Sequence, residues 1–411
     1  MMAAASRLLV AFAVACGICA CGGEKDNVAE DASFQVTEDD VVKCKGHVFD
    51  SMMGSWEPVW LEDSEAALLG EVRYVVYDDG LFFIVSSSNY SENTVMVFDK
   101  EGNFMNRVGN IGNARNEYRY LNSLAVDPLR KEVVLLTGYP STLKYYNYKG
   151  GFLRSVDVDM DGYDGDISPD MGSVCLPDGS LLVSNMMGVE QNDDYILIHA
   201  DGSVEPLLER RDYKVSAATP DGIEIGGHFH VGLTNHYYDP HADPTWFLRR
   251  FDNHLYHMEG SDSASCVANL AYVPEIPEDM KCSFPVFSSN RTSGGMLSLA
   301  IDTRDYVVVE FDGEYSFIDK RAMRAYKGDS NVGSEIIPAS FFVGCSDNVI
   351  IGEISTTMAE EMYEYRSDLD TDPNREITGF YKKVSGRDNP VLVLCRIKDP
   401  EDLHSSIDGL N

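Results

Sequence analysis

The sequence predicts an all-β chain, built as a six-bladed β-propeller of four-stranded antiparallel blades and closed by its N- and C-terminal strands. Three observations predict it. Short runs rich in Val, Ile, Tyr and Phe alternate with turn pairs such as Asp79-Gly80, Glu101-Gly102, Asp178-Gly179, Asp201-Gly202, Asp221-Gly222 and Asp312-Gly313. Hardly any window keeps a helical period over a dozen residues, and Thr357–Tyr365 is the best of them. Above all, the chain echoes itself. The segment from Val97 to Met105 aligns without gaps on that from Tyr145 to Leu153, and more weakly on Leu197 to Val204. The glycine anchors 102, 150 and 202 lie about 50 residues apart, the spacing of a four-stranded blade. One such sheet cannot bury both faces alone, so neighbours must stack against it.

Taken in order, residues 1–20 read as an export signal, with Arg7 before an apolar stretch, Leu8 to Cys19, too short to span a bilayer. Residues 21–50 are polar and acidic without sustained period and read as a flexible tether. The propeller domain is expected over 51–400, with 401–411 as a tail. Counting from Ala66 gives six units. The later ones cover Phe229–Leu270, Phe284–Tyr326 and Ile336–Ile397, and five or seven blades stay open because insertions follow residue 210. The strand Pro390–Leu394 is expected to share a blade with an N-terminal strand near Val59–Glu62, which removes exposed edges.

Small residues before Cys21, where charge begins at Glu24, resemble the lipobox of bacterial lipoproteins. Cys16 and Cys19 are rival sites. That resemblance implies a lipidated Cys21 as the first mature residue and membrane contact through the acyl chains only. The stretches Val59-Trp60-Leu61-Glu62, Leu68–Val72 and Val95–Gly102 resemble the six-bladed propeller lipoproteins of Gram-negative gut bacteria, related to NHL-repeat propellers. Gly109–Tyr118 stands in the place of that family's inter-blade loop, with Ala114-Arg115-Asn116 where Gly-Pro-Gly is usual. Asn389–Val393 resembles its closing strand. The resemblance implies a cell-envelope, outer-membrane location, facing the periplasm or the cell surface.

The charge balance narrows the function classes. With 33 Lys and Arg against 67 Asp and Glu, the net charge is −34, spread along the chain. This argues against nucleic acid, whose binding needs a basic footprint, and against attraction to anionic lipid. Cys44, Cys175, Cys266, Cys282, Cys345 and Cys395 form no CxxC pair. Cys266 with Cys282 is the closest candidate disulfide, but apolar contexts such as Val174-Cys175-Leu176 favour buried thiols.

Two patterns could carry chemistry. Asp157, Asp159 and Asp161 before Gly162 match the start of a calcium loop, though Ser168 replaces the closing Glu. The plain alternative is a strand whose Val156, Val158 and Met160 face inward. Six of nine histidines fall at 228, 230, 236, 241, 254 and 257, and His228 with His230 would share one strand face, as a metal pair does. They sit beside Tyr237, Tyr238, Trp246 and Tyr256, expected as a loop at the propeller mouth. Catalytic signatures (GxSxG, HExxH, a phosphate loop) are missing from the sequence. The leading expectation is therefore a binding or scaffold module with an unassigned protein, small-molecule or glycan ligand and no cofactor. The alternative is a metal-dependent hydrolase or lyase, with calcium or zinc in the central channel.

Overall fold

The computed structural model describes residues 28–29, 32–89, 92–138, 141–160, 172–184, 194–208, 235–249, 252–275, 297–311, 313–328, 338, 341–367 and 375–403. Of these, 54% are in strands and 13% in helices, arranged as several sheets, none closed on itself. The chain is all-β in character.

The N-terminal part supplies β1 (Val28–Ala29), β2 (Phe34–Gln35), β3 (Val41–Cys44), the short helix α1 (Val48–Met52) and β4 (Met53–Trp60). A first antiparallel group follows: β5 (Glu71–Asp78), β6 (Leu81–Asn89), β7 (Glu92–Asp99) and β8 (Phe104–Val108). The second is β9 (Leu121–Asp127), β10 (Glu132–Thr137), β11 (Thr142–Asn147) and β12 (Phe152–Asp157). The third is β13 (Ser173–Cys175), β14 (Leu181–Ser184), β15 (Tyr195–Ile198) and β16 (Val204–Leu208). Next come β17 (Asn235–Tyr238) and a fourth group, β18 (Trp246–Leu248), β19 (His254–Glu259) and β20 (Ser263–Asn269). The fifth is β21 (Leu297–Asp302), β22 (Tyr306–Phe311), β23 (Glu314–Asp319) and β24 (Arg324–Gly328). The sixth begins with β25 (Phe341–Ser346) and β26 (Val349–Ile354), passes through helices α2 (Thr356–Ser367) and α3 (Arg375–Val384), and returns as β27 (Val391–Ile397). Its fourth strand comes from the other end of the chain, because β27 pairs antiparallel with β4, Leu392 opposite Val59.

Side-chain burial explains these strands. In β6, Phe82 and Ile84 point into one core and Phe83 and Val85 into another, all nearly inaccessible. A strand apolar on both faces belongs to a sheet covered on both faces. The cores follow one another around the chain. One joins Val85 and Val97 to Val126 and Leu135 of the second group. The next joins Val134 and Leu136 to Leu181 and Ile196 of the third. Leu182 and Leu197 meet Phe247 and Tyr256 of the fourth; Leu248 and Leu255 meet Val307 and Ile318 of the fifth. Val308 and Phe317 share a core with Ile350 and Val393 of the sixth. The last returns to the start, Ile351 and Leu392 packing with Phe82 and Met96.

The first strands lie together and run the same way where they pair: β25 beside β5, β17 beside β21, and Leu124 of β9 bridging Gly172 just before β13. Tyr74 of β5 stacks on Tyr237 of β17, ring centroids 5.8 Å apart.

The repeating glycines have a single physical cause. Gly102, Gly150 and Gly202 all have positive φ, and a Cβ on each would lie 2.2–2.3 Å from a carbonyl oxygen of the preceding group's outer strand: Trp60, Arg107 and Asp157. The echo marks the points where each group's last turn seats against its predecessor.

Several expectations need correction. The tether expected over 21–50 is structured in its later part: β2 pairs with β20, β3 pairs with β24, and Val36, Val48, Phe49 and Met52 are buried. Apolar side chains scattered among its acids suffice to bury a short strand and a helical turn. The expected tail begins with Leu403 buried in the core. Tyr237, Tyr238, Trp246 and Tyr256 are buried core, not a mouth loop. Helix α2 falls where the one helical window was seen. Helix α3 was missed, although Ile377, Phe380, Tyr381 and Val384 carry the spacing of a buried helical face.

Candidate functional site

Connections divide by length between the two ends of the strands. The first-to-second turns are short, 79–80, 128–131, 176–180, 303–305 and 347–348, with 239–245 between β17 and β18. The links that lead into each first strand are long: 61–70, 109–120, 158–172, 209–234, 270–296 and 329–340.

The short-turn end is a network of aspartates, of which Asp78, Asp239 and Asp302 stand where a first strand stops. Asp78, at the end of β5, is buried and accepts a hydrogen bond from the Tyr148 hydroxyl. Its other partners are Lys131, Nζ to Oδ2 at 3.0 Å, and His241, Nε2 to Oδ1 at 2.8 Å. Burial works against its ionisation, but these three donors outweigh it and hold the carboxyl below its ordinary range. The Lys131 amine is pushed down by desolvation and, more strongly in sum, up by Asp78 and Asp79. Arg130 of the second group donates to the carbonyls of Pro177 and Asp178 of the third.

Opposite them, Asp239 accepts from the backbone N–H groups of His241 (3.0 Å) and Asp347 (2.8 Å). Burial raises its pKa in spite of those bonds. Asp302 is fully buried, accepts from the Trp246 N–H at 2.9 Å and pairs with Lys320 at 2.6 Å. Desolvation dominates there and lifts its pKa to about 6, Lys320 opposing. Arg304 bridges Asp305 (2.9 Å), Asp347 (2.8 Å) and Asp399 (2.9 Å). Each of these carboxylates is engaged by a donor of the protein itself. Chemically these carboxylates lock neighbouring turns to one another.

The opposite end holds a different kind of group. Glu353 on β26 is 7% exposed, and burial, reinforced by the charge of Glu71, pushes its pKa up to about 7. A second buried polar contact there is a hydroxyl pair, Ser123 Oγ to Ser173 Oγ at 2.5 Å, between the second and third groups.

The residues singled out in the sequence scatter. Asp157 ends β12 and Asp159 follows it, both exposed, while Val158 between them is buried with Val156 and Met160 packed beside it. This is the alternation of a half-buried strand. Asp161, His228, His230, Cys21 and Cys282 lie outside the described residues. The described histidines have separate partners. His236 is buried against the Tyr195 hydroxyl at 2.9 Å, and His241 faces Asp78. His254 contacts Asp252, and His257 packs edge-on to Trp246. Among the described residues no group of three His, Cys, Asp or Glu side chains is placed to hold a metal. Cys345 and Cys395 are buried free thiols, and Cys44 and Cys266 are buried as well. The aspartate network was missed by sequence reasoning. Its signal was the Asp-Pro pairs 127–128 and 239–240 and the Asp79-Gly80 turn, each closing an apolar strand.

Among the described residues no helix is long and apolar enough to cross a membrane. No curated protein matches the chain. Among solved structures it is similar to a "Putative exported protein" of Bacteroides fragilis, 15% identical, with a TM-score of 0.63 over 87% of this chain and 100% of that one. It is also similar to a member of the duf4221 family from Bacteroides vulgatus, 10% identical, TM-score 0.50, over 84% of this chain and 99% of that one. The model of a domain of unknown function, DUF4934, matches residues 36–396, and the chain belongs to that family.

Proposed function

We propose that the chain is an exported, envelope-anchored six-bladed propeller that acts as a binding or scaffold module. The short-turn end is its rigid base, and the long-connection end carries recognition. The observation that carries this reading is the cyclic order of the cores, in which the sixth group packs back on the first. Reading β17 as the inner strand of the fourth group completes six four-stranded blades. Similarity to an exported protein and the signal-like residues 1–20 support export, with acyl chains on Cys21 as the anchor.

A rigid ring suits binding because it fixes several loops without ordering cost at each encounter. Asp78, Asp239, Asp302, Asp305 and Asp347 at the base are already engaged by donors of the protein itself, so the reading assigns ligand contacts to the links 158–172, 209–234 and 270–296. The test compares the purified chain with a variant whose 209–234 and 276–296 segments are replaced by short Gly-Ser links. Both are probed against a polysaccharide panel and isolated outer-membrane vesicles. The reading expects binding by the parent and its loss in a variant that still melts cooperatively. A parent that binds nothing in the panel, or a variant that binds equally well, overturns it. Export is tested separately: Cys21→Ser should move the protein from the membrane fraction to the soluble envelope fraction.

A further inference from the structure

We propose that the groove between the open edge of β4 and helix α3 is a docking site for an extended acidic polypeptide, which adds to β4 as a further strand. Among the described strands β4 has one neighbour, β27. In such a strand, alternate backbone N–H and C=O groups point away from the sheet and need a partner that is itself extended. The protein already covers two of its outer strands in this way. β1 and β2 lie along β20, and β3 lies along β24. β4 instead faces a cavity of about 790 Å³, walled on the far side by α3.

The groove has the features strand addition uses. Its floor is aromatic: Trp56 and Trp60 stand 5.3 and 5.7 Å from Phe380, and both are half-buried. Gly379 on the helix wall leaves room, since a Cβ there would meet nothing within 4 Å. Pro58 lacks an N–H, so one position of the incoming strand finds no donor, which restricts register.

Charge selects the occupant. On a chain of net charge −34, this edge gathers Arg375 and Lys383 on the helix wall, with Arg396 opposite Ser55 and the Lys398 stem beside Gly54. Glu57 and Glu376 oppose them in part. Within the lining these four charges cancel, and Arg396 and Lys398 at its margin tip the balance toward a segment bearing carboxylates. The groove lies on the outer edge of the sixth group and does not depend on the links assigned to recognition above, so either reading can fail alone.

The probe is a fluorescein-labelled nine-residue peptide of alternating Val and Glu, with the Val-Lys counterpart and an alternately N-methylated Val-Glu peptide as controls. Fluorescence polarisation should show the Val-Glu peptide binding at least tenfold tighter than either control. Gly379→Phe, which fills the groove, and the double variant Arg375→Glu/Lys383→Glu should each weaken it at least tenfold, with melting temperatures unchanged. Equal binding of the N-methylated peptide, or unaltered binding by Gly379→Phe, overturns strand addition. Protection of the outward β4 amides from hydrogen exchange in the isolated monomer overturns it as well, since the chain's own residues would then cover the edge. A dimer that Gly379→Phe dissociates assigns the groove to a second copy and overturns the acidic partner.

Discussion

His241 Nε2 lies 2.8 Å from Asp78 Oδ1, joining two turns 163 residues apart. Asp78 ends the first strand of the first group, and His241 follows β17, three groups later in the chain. Their contact ties the first group to the turn after β17 at the end where Lys131 and Tyr148 also converge. It is a long-range tether that no local pattern could announce.

Asp78→Asn removes the charge and one of the two acceptor oxygens that three donors share. Loss of a buried carboxylate partner should destabilise the chain by about 2 kcal/mol at pH 7, discounted because Lys131 and His241 are half exposed. The folded pKa of Asp78 is depressed, so its contribution is present above the ordinary carboxylate range and is lost as pH falls through the folded value. Urea unfolding of wild type and variant should therefore differ at pH 7 and converge in acid. A constant difference across that range would show that packing, not charge, holds this corner.

Substituting the repeating glycines separates backbone strain from contact. Gly150→Val places a Cβ 2.3 Å from the Arg107 carbonyl oxygen at a φ of +77°, and should cost about 3 kcal/mol or more. Gly313 has the same φ with nothing near its Cβ, so Gly313→Ala should cost only about 1 kcal/mol. Equal losses in thermal melts would deny the seating role of the echo.

These glycines also show how much could be read beforehand. The echo at 102, 150 and 202 is legible because each group must accommodate the preceding carbonyl at the same turn, and geometry repeats in sequence. Pairing of β27 with an N-terminal strand was legible from the need to cover exposed edges, although the strand near Val59–Glu62 proves to be β4, Met53–Trp60. Beyond residue 210 the signal fades, since β18 has three residues and Gly260 and Gly313 meet no neighbour. The docking of β2 and β3 was hidden because only a few apolar residues interrupt a polar stretch. As for the candidate site, linear spacing grouped histidines of which the four described go to separate partners, and passed over aspartates that meet only in three dimensions.

Glu353 gives a pH dependence of the opposite sign. Its folded pKa is about 7 against an ordinary value of 4.5, because burial and then Glu71 disfavour the charge. The folded state binds the proton more tightly, so stability falls as pH rises from about 4.5 to 7, by about 3 kcal/mol at most. Glu353→Gln, which stays neutral, should remove that slope and be more stable than wild type at pH 8. Denaturant midpoints of both proteins at pH 5 and pH 8 decide this. Parallel shifts would place an ionised Glu353 in a solvated setting.

Closure of the two chain ends is held by the pairing of β27 with β4 and by one side chain beside it. Asn389, fully buried just before β27, donates from Nδ2 to the carbonyls of Glu62 (2.6 Å) and Ala67 (2.9 Å) and accepts from the Leu69 N–H at 2.8 Å. Its own N–H donates to Asp63. Asn389→Ala keeps the backbone bond but takes the partner from one part-buried donor, one part-buried acceptor and one buried acceptor. A buried orphaned group costs about 1–3 kcal/mol and a part-buried one less, so a loss of about 2 kcal/mol is expected. Because these bonds span more than 300 residues, the variant should also expose the N-terminal segment through β4 to protease before the rest unfolds. Limited proteolysis beside a urea melt tests both parts. If the variant loses stability but the cleavage pattern stays that of wild type, Asn389 stabilises its own turn without holding the ends together.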